Sequence, residues 1–326
     1  MDNKKRVIVW RITQTCNMKC LFCSYSNDVK RQRNDADEVE VSRLIKILGE
    51  YKKETNDNIL VSWIGGEPFL WKPLLVYTKE LRNTYEVEVS TTTNGLMLSL
   101  ENIRQEIIKY FSEIVISLDG FAVCNDRVRQ YKGHFHTVTN NIVALNRERK
   151  AVGSDLKIKV NTILMRENIE QFEEFCDLLV DLGVDEVTFN QLGGYDRPEF
   201  FENNRLLSWQ VKKLFEKLPA LKQKFSLKGL IIHGGDEYLH RILLTTENQK
   251  ISIKECNPGS WFWFINENGY ISPCSYTSYE YIYNIKEING PNDIDNVEKY
   301  FREIRNSYRS KWCNDCYCTQ IYDKFG

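Results

Sequence analysis

Short apolar runs alternate with amphipathic segments six times over the first two thirds of the chain. This alternation is typical of a parallel α/β fold, in which helices pack outside a sheet of parallel strands. Periodicity alone does not separate an open sheet from a barrel. In both, ligand groups lie at the carboxyl ends of the strands. The predicted strands are Val7–Thr13, Ile59–Ile64, Val87–Thr92, Ile114–Leu118, Leu156–Leu164 and Glu186–Gln191.

Polar or cysteine-containing sequences lie at the carboxyl end of each of these strands or directly after it, where the site of such a fold would lie. In chain order they are TQTCNMKCLFC, GGEP, TTNG, SLDG, VNTIL and FNQL. Arg127 and Arg129 come shortly after SLDG. An arginine there can bind a carboxylate through two parallel hydrogen bonds, and a solvated surface position is the alternative. We therefore expect the functional site at this rim.

The character of the sequence changes after residue 225. An aromatic strand is predicted at Trp261–Ile265, a hairpin turn at Asn266–Gly269 and a final helix over Asp293–Trp312. A chain of 326 residues is long enough for one large domain and a small one. We predict a first domain over residues 1–225 and a second over residues 226–326.

The ten cysteines of the chain are unevenly distributed, with three near the start and five near the end. The chain begins MDNKKRVIVW, which is charged and has no apolar signal region, and its apolar stretches are only as long as strands. We therefore expect a cytoplasmic protein with no membrane partner. In the reducing cytosol, clustered cysteines are more often metal ligands or catalytic groups than disulfides.

Cys16, Cys20 and Cys23 follow the first predicted strand directly. Three thiolates at this spacing can bind three irons of a 4Fe–4S cluster and leave the fourth iron open to a small molecule. A zinc site is the alternative, although structural zinc takes four ligands and no fourth Cys or His is close in the sequence.

The sequence CNMKCLFC after a first strand resembles the signature of the radical S-adenosylmethionine (SAM) superfamily. Motifs at the ends of the next four strands are similar to those of that family, in the same order, so the resemblance covers about residues 7–191. It implies a partial (β/α)6 barrel that binds SAM at the open iron. The residues that it places around SAM are Gly65, Gly66, Glu67, Pro68, Thr93, Asn94, Ser117, Asp119, Asn161 and Phe22.

The resemblance also implies an activity. One electron from the reduced cluster cleaves SAM, and the resulting 5′-deoxyadenosyl radical abstracts a hydrogen from an unactivated C–H bond. Gly65 and Gly66 would let the backbone approach a ligand closely, and Glu67 would hold the methionine amino group. A flavodoxin or ferredoxin would supply the electron.

Cys256, Cys274, Cys313, Cys316 and Cys318 form the second cysteine group. Four thiolates can ligate a second 4Fe–4S cluster, and a zinc site is again the alternative. The arrangement resembles the auxiliary-cluster extension called SPASM, or its shortened form, twitch, and implies a small α+β extension with one auxiliary cluster. We predict Cys256, Cys274, Cys313 and Cys316 as its ligands, because Cys-x-x-Cys is the commoner chelating spacing, and Cys318 as a spare thiol.

Two cysteines are candidate hydrogen-atom donors to a substrate radical, because a thiol S–H bond is weak. Cys318 is one candidate, and Cys124, shortly after SLDG on the predicted rim, is the other. A buried inert thiol is the alternative for both. Cys176 lies on the apolar stripe of a predicted helix and is expected in the core.

We therefore predict a radical SAM enzyme that dehydrogenates or epimerises a polar small molecule, such as an aminoglycoside-type sugar. Epimerisation or cross-linking of a ribosomally made peptide is the alternative. A zinc-stabilised binding protein without catalytic activity is the alternative of another class. The 44 Lys and Arg nearly balance the 45 Asp and Glu. Lys30, Arg31 and Arg33 form no contiguous basic patch, so a nucleic-acid partner is not favoured.

Overall fold

The computed structural model describes residues 5–254, 256 and 259–322. Its strands are β1 (Lys5–Thr13), β2 (Asn58–Gly65), β3 (Glu88–Thr93), β4 (Glu113–Ser117), β5 (Lys157–Leu164), β6 (Glu186–Gln191), β7 (Ile231–Ile232), β8 (Phe262–Ile265), β9 (Tyr270–Ser272) and β10 (Tyr283–Asn284). They form one sheet in the order β10-β9-β8-β1-β2-β3-β4-β5-β6-β7. The pairs from β8 through β1 to β7 are parallel, and β9 and β10 are antiparallel.

Helices follow the strands along the chain and complete the α/β architecture. They are α1 (Glu38–Thr55), α2 (Leu74–Tyr85), α3 (Glu101–Tyr110), α4 (Ala122–Arg129), α5 (His134–Ala151), α6 (Phe172–Leu182), α7 (Pro198–Asn204), α8 (Ser208–Ser226), α9 (Asp236–Thr246) and α10 (Asp293–Ser307). The six predicted strand–helix repeats, and with them the predicted α/β fold class, are confirmed. None of the described helices is both long and apolar enough to cross a membrane.

The two faces of the sheet have different roles, as β1 illustrates. Ile8, Trp10 and Ile12 are fully buried in the core that the helices cover. Because successive side chains of a strand point to opposite faces, Arg11 and Thr13 lie on the other face. The sheet thus packs its helices with one set of side chains and leaves the alternate set for the site.

Two helices of the structure have no counterpart in the sequence prediction, and the last helix ends earlier than predicted. The helices α4 and α7 span only eight and seven residues, too few for an apolar period to stand out. The last helix ends at Ser307 rather than at Trp312, because Tyr308 is extended. Ser310 then accepts a hydrogen bond from the Trp312 amide and begins a separate short turn.

The sequence after residue 225 continues the same sheet. Strand β8 pairs with β1 in parallel, with Val9 opposite Phe264. The aromatic side chains of Phe262, Trp263 and Phe264 are buried, so this strand belongs to the core. The division into residues 1–225 and 226–326 stays a prediction.

Candidate active site

The three cysteines of the first group lie in a loop directly after β1, the cysteine loop (residues 14–34). The Cys23 amide donates to the Cys20 carbonyl at 3.3 Å, and the Tyr25 amide donates to Cys23 Sγ at 3.3 Å. Burial raises the pKa of the Cys16 and Cys23 thiols, and that of Cys20 to about 12. Because metal ligands must be deprotonated, these thiols would release protons on binding iron.

Arg33 stabilises the cysteine loop through hydrogen bonds to carbonyl groups of the same loop. Its guanidinium donates to the carbonyls of Gln14 at 2.6 Å, Tyr25 at 3.0 Å and Ser26 at 2.7 Å. These charge-assisted bonds fix three points of the loop with one side chain. The role of Arg33 in the structure is therefore to shape the loop.

Gly65 and Gly66, at and just after the end of β2, pack directly against the end of β1 and the first residues of the cysteine loop. A Cβ at Gly65 would lie 2.5 Å from the Thr13 carbonyl oxygen, and one at Gly66 would lie 2.2 Å from the Thr15 carbonyl oxygen. The Gly66 amide also donates to the Thr13 carbonyl at 2.9 Å. Because glycine has no Cβ, the backbone of the cysteine loop can pack this closely against the end of β2. The expectation that this backbone also meets SAM stays a prediction.

Glu67 is fully buried and joins the loops that follow β2 and β3. Its carboxylate accepts hydrogen bonds from Thr93 Oγ1 at 2.8 Å and from the Asn94 amide at 2.8 Å. It also accepts one from the Phe69 amide at 3.3 Å, within the short turn that begins at Pro68. Burial raises the pKa of Glu67 to about 7. Glu67 therefore braces two of the predicted SAM motifs, and its own contact with SAM stays a prediction.

Asp119 and Arg129 form a buried ion pair beside the cysteine loop. Arg129 Nη2 lies 2.7 Å from Asp119 Oδ2, and Asp119 Oδ1 accepts a hydrogen bond from the Ile163 amide at 2.7 Å. The Arg129 guanidinium lies 5.8 Å from the centre of the Phe22 ring. Its positive charge also acts on the Cys20 thiol. The carboxylate thus fixes a cation next to the predicted iron site.

The structure distinguishes the two arginines that the sequence left equivalent. Arg127 is exposed and pairs with Glu167. Arg129 is buried, so the surface position is wrong for this residue. Among the described residues, its Nε has no hydrogen-bond partner. Arg129 is therefore the arginine that can donate to an anion at the cysteine loop.

Asn161 and Ser117 lie opposite each other on β5 and β4. Asn161 Oδ1 accepts hydrogen bonds from Thr188 Oγ1 at 2.9 Å and from Asn190 Nδ2 at 2.9 Å. Thr188 is a residue that the sequence reasoning missed, whereas Asn190 belongs to FNQL, one of the sequences predicted at the rim. The signal was present, because polar residues alternate with apolar ones along β6. This polar group lies on the sheet face opposite the helix-packed core.

Cys124 and Phe22 belong to a small apolar cluster at the rim, the rim cluster. Its other members include Val128, Met165, Leu192 and Phe200. The rings of Phe22 and Phe200 lie 6.5 Å apart. Burial raises the pKa of Cys124 to about 12. Cys124 is therefore a protonated thiol, the state that a hydrogen-atom donor requires, and its donor role stays a prediction.

The five cysteines of the second group line a single cavity of about 280 Å³, the auxiliary cavity. The neighbouring Cys318 thiol lowers the pKa of Cys274. Cys256 Sγ accepts a hydrogen bond from the Arg305 guanidinium. The structure thus brings together the four predicted ligands and also Cys318, the thiol predicted as spare.

No three His, Cys, Asp or Glu side chains within the described ranges converge closely enough to share one metal ion. A structural zinc site needs its four ligands around a single point. A 4Fe–4S cluster makes a different demand, because each thiolate binds a different iron and the sulfurs surround a larger volume.

Residues 10–179, more than half of the chain, match the family model described as the radical SAM superfamily. The chain belongs to this superfamily. It is therefore an enzyme of the radical SAM class, whose cofactors are SAM and a 4Fe–4S cluster.

The similarity to individual proteins extends over nearly the whole of this chain. Mycofactocin maturase MftC from Mycolicibacterium smegmatis is 25% identical over 317 residues, which cover 95% of this chain and 74% of that protein. An S-adenosylmethionine-dependent nucleotide dehydratase from Fibrobacter is 23% identical over 318 residues, 95% of this chain and 90% of that protein. Streptococcus suis SuiB bound to precursor peptide SuiA is similar in fold, with a TM-score of 0.65, 19% identity and coverage of 95% and 68%.

The residues present fit the cofactors of a radical SAM enzyme. The cysteine loop offers three thiols, the donor set that leaves one iron of a 4Fe–4S cluster open. Beside it, Arg129 offers a buried Nε without a partner among the described residues. A guanidinium there would bind a carboxylate such as that of the SAM methionine group.

Proposed function

We propose that this radical SAM enzyme modifies an unactivated C–H bond of a ribosomally made peptide and uses an auxiliary 4Fe–4S cluster. The observation that carries the proposal is the auxiliary cavity. It is lined by five cysteines, all of them from the part of the chain after residue 225. Thiolates are the usual ligands of such clusters. A second cluster gives the enzyme a place to accept or return an electron during substrate modification.

The loop between β6 and α7 contacts both cysteine sites. Arg197 of this loop lies 3.5 Å from Asp28 of the cysteine loop. The ring centre of Tyr195 lies 5.4 Å from that of Tyr317, which lines the auxiliary cavity. A substrate bound at this loop would therefore reach both sites.

The residues around the first site have separate tasks. In the proposal, Cys16, Cys20 and Cys23 hold the first cluster, and Arg129 orients the SAM carboxylate. Glu67 links the loops after β2 and β3 through its hydrogen bonds to Thr93 and Asn94, so the two loops keep a fixed position relative to each other. When bound, SAM and the reduced cluster supply a 5′-deoxyadenosyl radical. A flavodoxin or ferredoxin in the cytoplasm would be the reductant.

Two similarities support a peptide substrate. The relative MftC is named as a maturase and matches 95% of this chain, and the similar SuiB structure contains a precursor peptide. A polar small molecule is the second candidate. It is supported by the nucleotide dehydratase, which this chain matches over 90% of its length.

Turnover in vitro tests the proposal. The chain would be reconstituted anaerobically with iron and sulfide, reduced with dithionite and given SAM with any short peptide that is encoded beside its gene. We expect 5′-deoxyadenosine to form and a deuterated peptide to transfer deuterium into it. A mixture of deuterated nucleotides serves as the second arm. Transfer from nucleotides and none from the peptide would contradict the peptide assignment and keep the radical SAM class.

A further inference from the structure

The turn between β8 and β9 directs a carboxylate into the interior of the molecule. Glu267 is the second residue of this turn, yet it is only 3% exposed. A buried glutamate is rare unless its charge is paired. Asn266 fixes the turn, because its Oδ1 accepts hydrogen bonds from the Asn268 amide at 3.0 Å and from the Tyr270 amide at 3.1 Å. The part of the chain after residue 225 therefore sets the position of Glu267.

Both oxygens of Glu267 accept hydrogen bonds from residues near the first cysteines. Oε2 accepts one from Arg11 Nε at 2.6 Å, and Oε1 accepts one from Gln14 Nε2. Arg11 belongs to β1, and Gln14 is the first residue of the cysteine loop. Both residues are buried. Hydrogen bonds to an ionised group are stronger than neutral ones, and exclusion of water strengthens them further. One carboxylate thus links the β8–β9 turn to the start of the cysteine loop.

Gln14 closes the cysteine loop at its base. Its amide donates to the carbonyl of Asn34, the last residue of the loop, at 3.0 Å. Its carbonyl accepts a hydrogen bond from Arg33 at 2.6 Å. The backbone of Gln14 thus joins the two ends of the loop, while Glu267 holds its side chain. A displacement of Gln14 would move both ends of the loop relative to β1.

Arg11 gives Glu267 a second connection to the cysteines. Its guanidinium lies 5.1 Å from the ring centre of Tyr25 and 5.3 Å from that of Phe264. A guanidinium at such a distance is attracted to an aromatic ring. The Tyr25 amide donates to Cys23 Sγ at 3.3 Å. Glu267 therefore fixes Arg11, and Arg11 packs against the residue that binds the sulfur of Cys23.

We propose that Glu267 is a positioning residue for SAM cleavage. Through Gln14 and Arg11, the β8–β9 turn fixes the base of the cysteine loop, so the first cluster site is complete only with the part of the chain after residue 225. The inference concerns the cleavage of SAM that the radical SAM class performs. It holds for any substrate and with or without an auxiliary cluster, so it does not rest on the proposed function.

Hydrogen–deuterium exchange of the anaerobic apoprotein tests this role without any cofactor. Glu267→Gln removes the charge, and Gln14→Leu removes the amide donor while Arg11 still neutralises Glu267. We expect amides within residues 14–34 to exchange about tenfold to a hundredfold faster in both variants, because a hydrogen bond to a charged group no longer holds the loop closed. Amides in the helices should keep their rates. Glu287→Gln, at an exposed carboxyl after residue 225, should leave all rates unchanged.

The reconstituted enzyme gives a second readout. The variants keep Cys16, Cys20 and Cys23, so their iron content should equal that of the wild type. The rate of 5′-deoxyadenosine formation should fall about tenfold to a hundredfold in Glu267→Gln, because small displacements of reacting groups cost this much. Glu287→Gln should keep the wild-type rate.

Three results would overturn the inference. One is unchanged exchange within residues 14–34 in the Gln14→Leu variant. Another is an equal rate of 5′-deoxyadenosine formation in Glu267→Gln and Glu287→Gln. The third is faster exchange in the helices as well, which would show that Glu267 stabilises the whole molecule. Gln14→Leu keeps the buried charges paired, so it decides the question if Glu267→Gln does not fold.

Discussion

The Arg129 guanidinium lies 2.7 Å from the Asp119 carboxylate, and this buried pair lies against Phe22 and next to Cys20. Removal of one partner from a buried ion pair costs about 3–5 kcal/mol, because the other charge is left uncompensated. Asp119 therefore positions Arg129, and Arg129 keeps its Nε for a further acceptor. The pair therefore holds a cation at the site where the cluster thiolates and the SAM carboxylate are predicted to bind.

Arg129→Lys should weaken SAM binding while the charge is kept. Lysine lacks the planar fork that binds a carboxylate through two bonds, and a hydrogen bond to a charged group contributes about 1.5–3 kcal/mol. We expect the Kd for SAM to rise about tenfold to a hundredfold in equilibrium dialysis. Arg127→Lys, at the exposed neighbour, should change it less than twofold. Equal affinities of the two variants would contradict the role of Arg129.

Gly66→Ala should disrupt the cysteine loop. The added Cβ would lie 2.2 Å from the Thr15 carbonyl oxygen and 2.9 Å from Cys16 Cβ, so the backbone has to move. We expect the first cluster to be lost, which iron analysis would show as about four fewer irons per chain. Gly193→Ala is the matched control, because a Cβ there meets nothing within 4 Å. Full iron in the Gly66→Ala variant would show that the loop can yield.

The strands and the position of the site could be predicted from the sequence. The period of the apolar residues determines the strands, and the order of the elements along the chain determines the edge of the sheet where the site lies. The structure has α/β repeats where the alternation predicted them, and the motif residues lie in the carboxyl-terminal halves of those strands or directly after them. The contacts that each residue makes could not be predicted in this way. Glu67 sits in a motif expected to hold SAM, yet its partners Thr93 and Asn94 come from the next strand-end motif.

The remaining differences also concern contacts between distant segments. Spacing could not place Cys318 and Cys274 in one cavity, because the two residues belong to distant segments that only tertiary packing brings together. Likewise, Arg127 and Arg129 are two residues apart, and only the direction of α4 decides which is buried. Pairings of this kind are set by tertiary packing and not by a local pattern.

Glu67→Gln should change the pH dependence of stability. Burial raises the pKa of Glu67 from 4.5 to about 7. Between these values the folded state binds the proton more strongly than the unfolded state, so stability falls as pH rises. Relative to Glu67→Gln, the wild-type apoprotein should lose free energy of unfolding from about pH 4.5 to about pH 7 and then level off.

Anaerobic urea unfolding at several pH values measures this difference. Glu199→Gln is the control, because Arg197 lowers the pKa of this exposed carboxyl and no such loss should appear between those pH values. A difference between wild type and Glu67→Gln that is independent of pH would contradict the raised pKa.

Cys20→Ala and Cys176→Ala form a pair of variants that separates metal binding from packing. Both cysteines are buried, at 8% and 0% exposure, and a free cysteine packs like a small apolar residue. Cys20→Ala should abolish the formation of 5′-deoxyadenosine and remove about four irons per chain, because the cluster with the open iron loses one of its three ligands. Cys176→Ala should keep both, with a slightly lower melting temperature. SAM cleavage that survives in the Cys20→Ala variant would refute the cysteine loop as the cluster site, since packing alone cannot account for the difference between the two variants.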